Sequence, residues 1–401
     1  MIPIILQRPT SQLKLTMQIQ TTDLDPETLS AHKNVKIEEK TFETPAKALQ
    51  AGKLRGSEEV SPLARGIVEI YKRATAVALR NSRDGWTGLA DSLNSQAKNA
   101  EGDEVIVPFI GYRDSEDLSK ENAKEIAKLQ TNFGDVLTVP LMKPLVDEAD
   151  DGDERTEPEV SSIIENTKTY LEAMNELRIQ KPVMGVLPPI SEDCTMALMD
   201  LYMNHDLRAY CIDFSRRSPM AKAQLDNVVD PVMQTLIDYD IREGSLTYAV
   251  NANYSRPVSD GRRTADAMYA YTVGLDIVGD NHISPNWPEE VFEGLGEGEV
   301  KLRLFDGDTV SVAEVPVSDL ESFLPDEADL DVDRVQGRIA ADSDEQYRFE
   351  KLINTELISI YLDLEGGVDP EQIFVDLNTG TFTQNSDLER VLNLVEKVKG
   401  E

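Results

Sequence analysis

The stretch Gly244–Pro285 concentrates side chains able to act on a substrate. Asn251, Asn253, Tyr254, Arg256, Asp260, Arg262 and Arg263 follow a short apolar run, Leu246–Val250. Asp280, Asn281 and His282 follow a second run, Leu275–Val278, which also contains Asp276. A carboxylate at the end of such a run can serve as nucleophile or general base. It can equally cap a helix or face solvent. Asp213 ends a third run, Ala209–Asp213, with Arg216 and Arg217 just beyond, and Arg113 and Asp114 follow a fourth, Val105–Ile110. Between Arg208 and Arg263 arginine dominates the cations, and the only lysine there is Lys222. Guanidinium groups grip phosphates bidentately where ammonium acts as a point charge, so this bias points to a phosphate-bearing ligand. The competing reading is pairing with surplus carboxylates.

Other chemistries are less well served. Cys194, Cys211, His205 and His282 match no short zinc signature, and two cysteines cannot build a disulfide framework. There is no P-loop, GxSxG, HExxH or GxGxxG. Neither a metal nor a cofactor is expected.

The elements that would position these residues alternate. Val105–Ile110, Asp135–Pro140, Lys181–Leu187, Ala209–Asp213, Leu246–Val250 and Leu275–Val278 read as buried strands. Between them Lys120–Gln130 (with Ser119 as N-cap), Val160–Leu177, Cys194–Met203, Ala221–Tyr239 and Thr264–Val273 read as helices. Repeated βα units predict an α/β fold with a parallel sheet, and the lack of a glycine-rich first turn favours a (β/α)8 TIM-type barrel over a doubly wound sheet. In such folds chemistry sits at the carboxyl ends of the strands. Leu63–Leu79, with Ile67, Ile70, Tyr71, Ala74 and Val77, fits helical spacing.

The chain divides into an irregular segment at 1–40, a barrel at 41–290 and a small C-terminal α+β extension at 291–401. The acidic run Val146–Glu159 reads as a solvated excursion and Leu320–Asp333 as an acidic linker. Val300–Leu304 and Thr309–Ala313 predict a hairpin, and Gln346–Leu364 and Leu388–Val398 helices.

With 40 Lys and Arg against 74 Asp and Glu, the formal charge is −34, spread along the whole chain. A dispersed acidic surface stays hydrated in strong salt, so the chain reads as halophilic. No apolar stretch approaches the ~20 residues of a membrane span, and the start lacks a signal-peptide layout, which points to the cytoplasm. Met17 offers an alternative initiator.

The run YRDSEDLSKENAKEIAKLQTNFGDVLTVPL at Tyr112–Leu141 is followed by SIIENTKTYLEAMNEL, KPVMGVLPP and TYAVNANYSRP…ADAMYAYTVGLDIVGD. Their order resembles the tRNA-guanine transglycosylase superfamily, in its shorter DNA-modifying form, over roughly residues 41–285, and Glu43-Thr44-Pro45-Ala46 echoes the family's opening. The resemblance implies an enzyme that exchanges guanine in DNA or tRNA for a 7-deazaguanine base through a covalent sugar–aspartate intermediate. It implies Asp280 as nucleophile, with Asp213 or Asp103 as acid/base partner. It places Asn251, Asn253, Arg216, Arg217, Arg256, Arg262, Arg263, Asp276 and His282 around the substrate. The family's DSGGFQ-like signature and cysteine-rich zinc site are not present, and Leu141 stands near the position of its base-reading aspartate. Two other readings stay open: a non-catalytic subunit binding nucleic acid, a catalytic partner or a second copy, and an unrelated barrel acting on a small phosphorylated substrate.

Overall fold

Leu246–Val250 and Ala209–Asp213 are buried at every position, as expected of strands covered on both faces. They are the centre of a six-stranded parallel sheet in a computed structural model that describes residues 17–56, 58–150, 157–252, 262–283, 300–342, 345–363, 370–380, 382 and 385–400. With strands numbered along the chain, the sheet order is β4 (Ala46–Lys47), β13 (Ile277–Val278), β11 (Leu246–Val250), β10 (Ala209–Asp213), β9 (Val183–Leu187) and β8 (Leu137–Thr138). Each neighbouring pair is parallel. The fold is therefore mixed α/β.

A second parallel sheet holds β5 (Leu49–Gln50), β6 (Ile67–Ala74) and β7 (Val105–Tyr112). Backbone hydrogen bonds tie it to the first sheet at both ends. Only Ala48 separates β4 from β5, and its N–H donates to the Val278 carbonyl at 3.0 Å. At the other end Gly111 of β7 bridges in parallel to Leu141, whose N–H donates to the Ile110 carbonyl at 2.9 Å.

The helices read from periodicity form as Lys120–Phe133, Glu157–Leu177, Glu192–Asn204 and Asp266–Thr272, and Ser119 caps the first by accepting from the Asn122 N–H. The Ala221–Tyr239 segment is helical from Lys222 to Asp238, with Leu225–Val229 wound more loosely in its middle. The C-terminal hairpin is β14 (Lys301–Asp306) with β15 (Ser311–Pro316), to which β12 (Arg263–Thr264) adds antiparallel, followed by a long helix, Glu345–Asp363, and a terminal one, Asn385–Lys399.

Four expectations are corrected. Leu63–Leu79 is not a helix: its centre is strand β6, in which Ile67, Val68, Glu69 and Ile70 are all buried. The N-terminal segment is not irregular over its described part, since β1 (Met17–Leu24), β2 (Ala31–Ile37) and β3 (Lys40–Thr44) form an antiparallel sheet. The acidic excursion begins as a helix, Lys143–Asp150, that buries Leu145, Val146 and Ala149 despite its acids. The acidic linker contains a short helix, Leu320–Phe323, and leads into another, Val332–Ala341, which buries Val335 and Ile339.

Candidate functional site

Parallel strands send their carboxyl ends to one edge, and the Asp280 loop is there because β13 ends at Val278. Gly279 brings the chain across the strand ends. A Cβ on it would lie 2.0 Å from Glu69 Oε1 and 2.6 Å from Tyr248 Cε1, so only glycine fits this approach. The Glu345–Asp363 helix packs against the segment containing β4 and β5 and delivers Lys351 to the same place. Its Nζ lies 3.0 Å from Asp280 Oδ2.

Asp280 faces a cavity of about 110 Å³ lined by Lys47, Asp266, Arg303, Tyr347, Glu350 and Lys351 together with Ala252, Ala267, Ala270, Val278 and Ile358. Burial opposes ionisation of Asp280, but the charges of Lys351, then Lys47 and His282, outweigh it and hold the carboxyl down to about 2. The same pair keeps Lys351 protonated: burial works against its charge, and Asp280 more than compensates. Glu350 is engaged by Arg303, whose Nη2 donates to Oε1 at 2.7 Å. Asp266 accepts from the Thr264 hydroxyl at 2.8 Å.

Behind this cavity a buried polar network fixes the loop. Glu69, fully buried on β6, accepts from the Tyr248 hydroxyl at 2.5 Å and from the Asp280 N–H at 3.0 Å. The His282 ring stacks on Tyr71 at 4.5 Å, and its Nε2 is 3.1 Å from Glu69 Oε2. Gln50 contacts His282 Nδ1 at 3.0 Å. Asn251 joins the loops after β10, β11 and β13: its side chain donates to Asp213 at 2.8 Å and accepts from the His282 N–H at 2.7 Å. Its N–H reaches the Asp280 carbonyl, and its carbonyl accepts from Arg216. Ser215, Arg216 and Asn251 all have positive φ, which marks this junction as strained.

The structure thus brings Asp280, Asn251, His282 and Asp213 into one connected region, but separates others. Asp213 is buried and faces an apolar pocket with Val139, Met142 and Val186 rather than the Asp280 cavity. Burial raises its pKa, and hydrogen bonds from Asn251 and the Ser215 N–H oppose this only in part. Asp103 cannot partner Asp280: it precedes β7, exposed, at the amino edge of the sheet. Asp276 also lies at the amino edge, where it forms a buried ion pair with Lys33 at 2.8 Å and accepts from the Thr247 N–H and hydroxyl. It is a clamp between β2 and the sheet, not a substrate contact.

Of the predicted substrate-binding arginines that are described, Arg216, Arg217, Arg262 and Arg263 all have partners within the protein. Arg262 pairs with Asp306, donates to Thr309 and Ser311 at 2.9 Å each, and lies over Phe382, so its guanidinium is bound to the hairpin. Arg217 donates to the Pro189 carbonyl at 3.3 Å. Arg216 and Arg263 are half-buried and also have partners. Asp114 accepts from the Ala76 N–H at the start of helix Ala76–Arg83. Asn253, Tyr254, Arg256 and Asp260 lie outside the described residues.

Sequence reasoning missed Lys47, Glu69, Asp266 and Lys351. Glu69 left a signal: a lone carboxylate in the apolar run Ile67–Tyr71 must be satisfied from within. Lys47 and Lys351 left none, since nothing local shows which lysine on a strand or long helix faces a cavity. Cys194 and Cys211 are buried free thiols, each pushed up by burial. Among the described residues no group of three or more His, Cys, Asp or Glu is arranged to hold a metal ion, and no helix is long and apolar enough to cross a membrane.

No protein-family model matches the chain, and a search of curated proteins finds no match.

Proposed function

We propose that the parallel strands close into a (β/α)8-type barrel and that the cavity at its carboxyl mouth is the sugar or base site of a transglycosylase-like protein. The ring is supported by a continuous path of parallel pairing. It runs from the Ala46–Gln50 segment through β6, β7, the Leu141 bridge, β8, β9, β10, β11 and β13, and returns to Ala46.

The observation that carries the functional reading is Asp280: a carboxylate held ionised at about 2, at a strand's carboxyl end, facing a cavity. Glycosyl transfer by this route begins when an Asp280 oxygen attacks the sugar C1′ as guanine departs with the bonding electron pair. The departing base takes a proton, which we assign to Asp266, a second carboxyl group lining the same cavity. A 7-deazaguanine base then displaces the carboxylate from C1′, forming the C1′–N bond as the ester C–O bond breaks, and its ring N–H proton passes to Asp266, which the first step left deprotonated. DNA is the favoured nucleic acid, with tRNA the other. The cavity, of about 110 Å³, is far too small for a polynucleotide, which stays outside. The target nucleotide must accordingly be turned out of its helix.

One observation favours a second reading. Lys351 already occupies Asp280, and Arg262 is spent on the hairpin. A carboxylate neutralised by its own chain is also what a non-catalytic subunit would carry. The two readings separate in one experiment: incubation at molar salt with guanine-labelled DNA or tRNA and a 7-deazaguanine base. Loss of label from one substrate, abolished by Asp280→Asn, establishes base exchange. Retention on both by folded protein leaves the subunit reading.

A further inference from the structure

The cavity that faces Asp280 contains a second group that the base-exchange steps use neither as nucleophile nor as proton donor, the Lys47 amine. Lys47 lies on β4, and its Nζ donates to the carbonyl oxygens of Ala48 and Gly279, both at 3.1 Å. Among the described residues no carboxylate stands within ion-pair distance of it. Asp280, which lines the same cavity, is taken by Lys351. Lysine amines are pressed toward the neutral, nucleophilic form by burial and by neighbouring cations. Both pressures act here. Burial lowers the Lys47 pKa and the Lys351 charge adds to it, while Asp280 and Glu69 oppose. Lys53, close to the same Lys351, is brought to about 8 by burial and then by Lys351. The Tyr347 ring, which lines the cavity, carries Lys351 at 4.8 Å and Lys53 at 5.7 Å from its centroid.

We propose that Lys47 is a carbonyl-capturing amine and that this cavity accepts a small uncharged aldehyde or ketone. The lack of charge follows from the pairing already present: Asp280 is met by Lys351 and Glu350 by Arg303. An anionic ligand would have to break one of these pairs. The size follows from the volume of about 110 Å³. In the step itself the neutral amine adds to the carbonyl carbon, forming a C–N bond as the C=O π pair moves to oxygen. A proton passes from nitrogen to that oxygen. The carbinolamine then loses water as the Lys351 ammonium donates a proton to the leaving hydroxyl, and the nitrogen lone pair forms the C=N bond of a protonated imine. This capture does not require Asp280 to act as a nucleophile, so it stands or falls separately from base exchange.

The test uses the full chain at molar salt and neutral pH, with dihydroxyacetone as the carbonyl and cyanoborohydride to reduce any imine to a stable amine. Peptide mapping by mass spectrometry then compares Lys47 with the exposed Lys98. A lowered pKa raises the neutral fraction of a lysine, so Lys47 is expected to be modified faster than Lys98 although it is the less exposed of the two. Denaturing the chain first should erase that advantage, and Lys47→Arg should remove the adduct from its peptide. Modification of Lys47 at or below the rate of Lys98, or an advantage that survives denaturation, would overturn the proposal.

Discussion

The Lys351 ammonium and the Asp280 carboxylate meet at 3.0 Å, joining the long C-terminal helix to the turn after β13. Both side chains are about nine-tenths buried, so neither charge is well solvated without the other. This contact decides how the site responds to acid. The folded pKa of Asp280, about 2, lies below its ordinary value near ~3.9. The stabilisation is therefore complete above about pH 4 and lost as pH falls through about 2, and it amounts to roughly 2 kcal/mol.

Lys351→Met should accordingly destabilise the protein at pH 7 by about 3 kcal/mol, because it takes from buried Asp280 its nearest and strongest counter-charge. At pH 3 the Asp280 carboxyl of the variant is protonated, so the gap to wild type should narrow. Denaturant melts of both proteins at the two pH values measure this. An equal gap at both would mean that the pair does not hold Asp280 ionised.

The Lys33–Asp276 pair makes the opposite kind of prediction. It sits at the amino edge, with Thr247 completing the carboxylate's hydrogen bonds. Lys33→Met should cost about 3–5 kcal/mol by stranding a buried carboxylate, yet leave base exchange per folded molecule unchanged. Activity normalised to the folded fraction is the readout. A selective loss of turnover would return Asp276 to the list of substrate contacts.

Gly279→Ala tests the packing that aims Asp280. The added methyl meets Glu69 Oε1 and Tyr248 Cε1 inside a filled interior, so one of them must move. Displacing Glu69 releases the Asp280 N–H that it accepts. The expected outcome is a loss of about 1–3 kcal/mol together with at least a tenfold fall in base exchange. Wild-type stability in this variant would show that the loop has room the geometry denies.

What was legible in the sequence follows from how each signal is made. Leu246–Val250 and Ala209–Asp213 were read to the residue, because an apolar run of strand length between turns has few alternatives. Ile67, Ile70, Tyr71 and Ala74 satisfy helical spacing by accident: β6 is buried on both faces, so alternation is erased and any period can be read into it. Asp276 and Asp280 flank the same two-residue strand, and only its direction shows that they belong to opposite edges. Lys351 was invisible as a site residue for another reason. Its helix is expected over Gln346–Leu364, but where a helix docks depends on the whole chain. The arginines were noticed for their type, and type alone did not reveal that Asp306 had already claimed Arg262.

Glu356 provides a pH prediction of reversed sign. It is buried in the long helix, where its Oε1 accepts from the N–H groups of Ser61 and Asp329 and its Oε2 finds no hydrogen-bond partner among the described residues. Burial pushes its pKa up to about 7, the backbone N–H groups opposing this only in part. Because the folded value exceeds the ordinary ~4.3, the folded state holds the proton longer than the unfolded chain. Stability from this group is therefore greatest below about pH 4 and falls as pH rises towards 7. Glu356→Gln keeps an acceptor for Ser61 and cannot ionise. The variant should match wild type near pH 4 and exceed it by roughly 3 kcal/mol at pH 8, the equivalent of the raised pKa. Denaturant midpoints at pH 4, 6 and 8, taken as the difference between the two proteins, isolate this carboxyl from the other groups that titrate. A difference that stays flat across the range, or turns negative at pH 8, would show that Glu356 is ionised in the fold at little cost and that its backbone donors suffice to hold the charge.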